Sequence, residues 1–222
     1  MKAFLALAIL LVGLTGAFAQ NEQAPILEKE IKYKDWTYQS VTGDEKINLR
    51  EYTAGKKLVL VVYFAPWCHN WRHEAPFVET LYEKYKASGL GVIGVGEYDT
   101  VEVMKTELEA RKITFPVVYE SESRDAKKDT LHYEYRQETG DTRNWGSPWN
   151  IFLLPAEMKK KGDTLTKKTY VVNGELIEPE AEKFVREKLG LPPEESKMET
   201  AAKKEIEACP EEKPVEFQKP EN

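Results

Sequence analysis

The sequence predicts an α/β fold in which a central mixed β-sheet is flanked by helices, and three observations carry that reading. Lys57 to Ala65 is a near-continuous β-branched and aromatic run, the pattern of a strand buried on both faces. Strand-like and helix-like segments then alternate as far as Tyr119, which calls for parallel βαβ units with right-handed crossovers. After residue 149 two further apolar runs flank a Lys161-Gly162-Asp163 turn and read as a β-hairpin.

Each element has a local reason. His69 to Ser88 places Ala75, Val78, Leu81, Tyr82 and Tyr85 at helical spacing and stops at Gly89, with Lys84 and Lys86 in the last turn; Pro76 is expected to kink it. Leu90 to Gly96 is a second buried strand. Thr100 can cap a helix running to about Lys112, and Ile113 to Tyr119 is extended again. From Glu120 to Asn144 the chain is polar and charged. Asn150 to Leu154 and Thr169 to Val172 form the later strand pair, and Pro179 to Leu189 makes a last helix with Ala181, Phe184, Val185 and Leu189 inward and Gly190 as its stop.

Composition narrows the function. The 222 residues can bury one sizeable core, and 32 basic against 38 acidic residues give a net charge of -6 with no basic tract, which argues against a nucleic-acid partner. Residues 1–19 have the form of a secretory signal peptide: Lys2, an apolar run from Ala3 to Val12, and a small-residue exit at Ala17-Phe18-Ala19. That run is too short to span a membrane, so the mature chain is expected to be exported, periplasmic or extracellular, without a membrane span. Residues 20–190 form one domain, and 191–222, rich in Pro, Glu and Lys, read as a disordered tail.

Two cysteines exclude a disulfide-stapled miniprotein and a four-cysteine zinc site. Cys68 lies where the strongest strand gives way to the next helix, where first-turn N–H groups favour the thiolate; the alternative is a small buried apolar residue. His69 and His73 fall on one helical face beside it, yet no further ligands complete a metal shell, and either can instead modulate the thiol. His132, in the charged stretch, has no evident role.

The segment Phe64-Ala-Pro-Trp-Cys-His-Asn-Trp-Arg-His-Glu-Ala-Pro76 resembles the active-site stretch of the TlpA/ResA-like thiol–disulfide oxidoreductases of the thioredoxin superfamily. Tyr38 to Leu49, a strand, a Gly43-Asp44 turn and a strand, resembles that family's N-terminal hairpin extension, and Gly146-Ser-Pro-Trp-Asn-Ile-Phe-Leu resembles its cis-proline strand. The likeness spans about residues 33 to 190. It implies a thioredoxin-like fold, no cofactor, a protein disulfide or thiol as substrate, and Pro148 in cis with Ser147 presenting backbone to that substrate. It implies proton transfer at Glu74, for which a solvated helix carboxylate is the alternative, as an ordinary turn proline is for Pro148.

One anchor departs from the family pattern: Trp71 stands where the second, resolving cysteine belongs. A single sulfur can form a mixed disulfide but cannot release its partner, so an external thiol reductant is implied unless Cys209 resolves it. Eighteen residues separate Cys209 from Leu191, a flexible reach of roughly 21 to 25 Å, so Cys209 is either resolving or a spare or intermolecular thiol. Trp67, Trp71, Trp145 and Trp149 are expected around Cys68, either as core or as a rim that binds extended polypeptide. Val61 and Ala65 stand where a peroxidase of the peroxiredoxin kind carries Pro and Thr or Ser, which argues against peroxide chemistry. Two readings follow: monothiol exchange through Cys68, or a non-catalytic module holding a partner on the tryptophan rim.

Overall fold

The computed structural model describes residues 22–193; the expected signal peptide and nearly all of the tail, Cys209 included, lie outside them. In chain order the elements are β1 (Gln23–Ala24), β2 (Leu27–Lys34), β3 (Thr37–Ser40), β4 (Lys46–Asn48), α1 (Leu49–Thr53), β5 (Leu58–Phe64), α2 (His69–Tyr85), β6 (Leu90–Gly96) and α3 (Val101–Arg111). They continue as β7 (Val117–Tyr119), α4 (Leu131–Thr139), β8 (Trp149–Leu153), β9 (Thr164–Val172), β10 (Glu175–Leu176) and α5 (Glu178–Leu189).

Eight strands form one mixed sheet in the order β2-β9-β8-β5-β6-β7-β3-β4, while β1 and β10 make a small parallel pair. The expected strand of residues 57–65 is its centre. All seven residues of β5 are buried, paired in parallel with β6 and antiparallel with β8. The two faces of β5 divide the core. Leu58, Leu60, Val62 and Phe64 pack with Trp71, Ala75 and Val78 of α2 and with Ala181, Val185 and Leu189 of α5. Val59, Val61 and Tyr63 pack with Ile31 and Tyr33 of β2, Leu49 and Tyr135.

The local signals act as chemistry requires. Thr100 accepts from the Val103 amide to start α3, and Gly190 at φ +73° ends α5. The β3–β4 and β8–β9 pairs are the expected hairpins. Pro76 lies inside α2, which runs through it to Tyr85.

Two regions differ from the sequence expectation. Residues 120–144 are not simply a polar stretch: Thr130 caps α4, which buries His132, Tyr135 and Arg136. Its four inward residues, Thr139 included, are mostly polar and interrupt a charged segment, so they do not register as an apolar periodic face. The edge strand β2 is also absent from the sequence expectation, because alternating Lys and Glu hide the inward Ile31 and Tyr33.

A buried ion cluster braces the loop between α4 and β8. Asp141 accepts from Arg136 at 3.0 Å and from Arg143 at 2.8 Å. Burial alone would raise the Asp141 pKa, but the two guanidiniums hold it below the ordinary value. Arg143 also donates to the Pro148 carbonyl at 2.9 Å, and Arg136 to the Arg143 carbonyl. Gly146, at φ +58°, lets the loop pass over Arg136, where any Cβ would collide with the guanidinium. Gly146→Ala is expected to destabilise by about 3 kcal/mol through left-handed strain and displacement of the buried ion pair. Urea unfolding checks this; a midpoint unchanged from wild type contradicts it.

Candidate active site

Cys68 is the N-cap of α2, with extended φ -74° and ψ 127°, and its side chain makes no cap bond. Its amide donates to Ala65 O at 2.9 Å and its carbonyl accepts from the Arg72 amide at 3.2 Å, which closes the first turn beneath it. The side chain is half-buried and its S–H donates to the Ser147 carbonyl at 3.0 Å. Ser147 is tied a second time: its Oγ accepts from the Ala65 amide at 2.8 Å, just beyond the end of β5. The Ser147–Pro148 peptide is cis. The structure thus brings together Cys68, Ser147 and Pro148, which lie about 80 residues apart in sequence.

An open trough of about 410 Å³ exposes this junction, with Trp67, Cys68, His69, Arg143, Trp145 and Ser147 in its lining. Trp67 and Trp145 meet edge to face with centroids 5.3 Å apart, both half-buried. Trp71 and Trp149 do not join them, which corrects the expectation that they form a substrate rim. Trp71 is 0% exposed and stacks on Phe64 at 4.2 Å, because the third residue of α2 faces the sheet. Trp149 is equally buried as the first residue of β8, and its Nε1 donates to Asn173 Oδ1 at 2.8 Å.

Glu74 lies two turns along α2 and is 3% exposed, so it is not a solvated helix carboxylate. Asn150 Nδ2 donates to both its oxygens at 3.1 Å, and the Leu176 amide donates to Oε2 at 2.5 Å. Burial pushes its pKa up to about 8, with neighbouring Glu175 acting in the same direction against these hydrogen bonds. Glu175 is itself buried and bonds His73 Nδ1 at 2.6 Å. The two histidines therefore part company: His69 is exposed at the trough, while His73 is engaged by Glu175 below. Among the described residues no group of three metal-ligating side chains converges.

His132, which the sequence leaves without a role, is buried with Nδ1 hydrogen-bonded to the Tyr98 hydroxyl at 2.9 Å. Burial and then Arg136 lower its pKa, so it is neutral. Sequence reasoning missed Arg143, Asn150 and Glu175. No spacing rule connects these residues to Cys68 or Glu74, since the contacts cross three separate strands and loops.

The pH dependence of Glu74 is testable. Between about pH 4.5 and pH 8 the folded protein keeps a proton on Glu74 that the unfolded chain has lost, so stability falls as pH rises through that window. Glu74→Gln removes this contribution, so the stability difference between variant and wild type should shift in favour of Gln by up to about 4 kcal/mol from pH 4.5 to pH 8. Urea unfolding across that range reads it, and a difference independent of pH contradicts it.

Solved structures confirm the thioredoxin-like framework. DsbF of MTB, in its mixed oxidised and reduced forms, is 19% identical with a TM-score of 0.51, covering 69% of this chain and 95% of its own. A thiol:disulfide interchange protein of the thioredoxin family from Chlorobium tepidum is 18% identical with a TM-score of 0.52, covering 73% and 98%. A secreted thiol-disulfide isomerase from Corynebacterium glutamicum is 15% identical with a TM-score of 0.51, covering 73% and 92%. No curated protein sequence matches the chain. The AhpC/TSA family model matches residues 29–143, from β2 through α2 and Cys68 to the Arg143 brace. More than half of the sequence thus falls under that one model, and the chain belongs to the AhpC/TSA family.

Proposed function

We propose that this protein is an exported thiol–disulfide exchange protein of the TlpA/ResA-like kind with Cys68 as its single active-site cysteine. The observation that carries the reading is the half-buried Cys68 thiol at the start of α2, 3.0 Å from the Ser147 carbonyl, at the floor of an open trough. The Cys68 thiolate attacks one sulfur of a protein disulfide; the Sγ–S bond forms as the substrate S–S bond breaks, and the departing thiolate leaves with the electron pair and takes up a proton. An external thiol then attacks the mixed disulfide, releasing the substrate as a thiol.

Several features support exchange over peroxide reduction or a purely binding role. Position 65, three before Cys68, is alanine, so no hydroxyl stands there beside the sulfur. Two of the four tryptophans expected on a binding rim lie in the core instead. Neutral Glu74, behind the first turns of α2, is a proton reservoir titrating near the pH at which thiols ionise. The secreted Corynebacterium glutamicum neighbour and the apolar first 19 residues support export.

Trp71 explains the one-sulfur chemistry and offers its test. A cysteine at that position would point inward one turn from Cys68, where a resolving thiol belongs. Trp71→Cys empties the space on Phe64 and is expected to cost about 3 to 5 kcal/mol. In the folded variant, steady-state reduction of a peptide disulfide by a dithiol should rise about tenfold over wild type. A folded Trp71→Cys protein with no gain contradicts the reading.

The wild-type protein should release one equivalent of thiol from a peptide disulfide and then stop until an external thiol is added. If Cys209 resolves the adduct, peptide mapping after mild oxidation will find the Cys68 and Cys209 peptides joined. Only free or intermolecular forms would leave the external thiol as the resolving partner.

A further inference from the structure

We infer that the mouth of the Cys68 trough selects a polypeptide disulfide flanked by acidic residues; this substrate class rests on the reading of Cys68 as the exchange thiol. The Trp67–Trp145 pair beside Cys68 carries two cations on its outer side. The Arg124 guanidinium lies 4.3 Å from the Trp67 ring centroid and 5.9 Å from that of Trp145. Lys127 Nζ lies 4.7 Å from the Trp145 centroid and donates to Asn144 O and Oδ1 at 3.0 and 2.9 Å. Stacking on the indoles holds both charges in place.

Charge matching singles these two out. Glu22, which lines the trough, and Asp141 are taken by Arg143 at 3.3 and 2.8 Å, and Asp141 also by Arg136. Arg124 and Lys127 meet no carboxylate at ion-pair distance among the described residues. In a chain of net charge -6, these two stacked cations are a local positive spot, with Asp125 and Asp129 in the same Arg124–Asp129 segment. Neither cation lines the trough itself. A ligand whose disulfide reaches Cys68 would therefore present its carboxylates some distance along from the sulfur, beyond the indole pair. An extended polypeptide does this, with its apolar groups on the tryptophans and its acidic side chains on Arg124 and Lys127.

The test uses full-length Cys209→Ser protein, so that Cys68 alone reports. Two peptides of equal length each carry one cysteine as a 2-thiopyridyl disulfide, flanked by glutamates in one and by lysines in the other. Cys68 attacks the peptide sulfur, its S–S bond to the pyridyl group breaks, and the pyridinethiolate leaves with the electron pair and is protonated to the thione, whose absorbance is followed. The acidic peptide should react about tenfold faster than the basic one at low ionic strength, and the ratio should fall towards one at high salt. Arg124→Glu with Lys127→Glu should bring the ratio to one or below. Equal wild-type rates at low salt, or a ratio untouched by the double reversal in a folded variant, would overturn the inference. The salt dependence of the wild type reads the same charges whether or not the variant folds. Absence of thione from both peptides would overturn the Cys68 reading itself and this inference with it.

Discussion

Ser147 holds the site together. Its hydroxyl takes the amide of Ala65 just past the central strand, and its carbonyl takes the Cys68 thiol. A residue with no side-chain acceptor at 147 would leave the buried Ala65 amide without its partner, a cost of about 1 to 3 kcal/mol. The loop that carries Ser147 is fixed in turn by the Arg136–Asp141–Arg143 cluster and by the Gly146 passage over Arg136. The charged stretch between β7 and β8 therefore positions the wall opposite the thiol.

Beneath the thiol, α2 carries two distinct layers. On the sheet side Trp71 fills the place next to Phe64 with apolar surface, where a small sulfur would leave a void. One turn on, Glu74 enters a polar layer with Asn150, the Leu176 amide and Glu175. A buried carboxyl with three donated hydrogen bonds and no cation paired to it is neutral at mid-range pH, so α2 carries a buried protonated carboxyl. Trp71 and Glu74 thus serve separate layers of α2, one apolar and one polar.

What is legible in the sequence follows the range of the interactions. The buried strand at 57–65, the Thr100 cap and the Gly190 stop are local, set by neighbours within a turn, and they stand in the structure where the residues put them. Ser147 and Pro148 can be reached only by resemblance, since nothing near them in sequence points to Cys68. Arg143, Asn150 and Glu175 are not reachable at all, because each acts across the fold. Trp149 misleads because a tryptophan beside a site motif looks the same in sequence whether its ring faces the trough or the core. For Trp71 the clue is present: its helical spacing from Ala75 and Val78, both core residues, puts it on the buried face.

The central claim is that Cys68 is an accessible exchange thiol. Its most direct test is the intact mass of the reduced full-length protein after exposure to a small disulfide, followed by mapping of the modified peptide. The account predicts an adduct on the Trp67-Cys68 peptide that an added thiol removes. An unmodified Cys68 in a protein whose Cys209 takes up the adduct would contradict it.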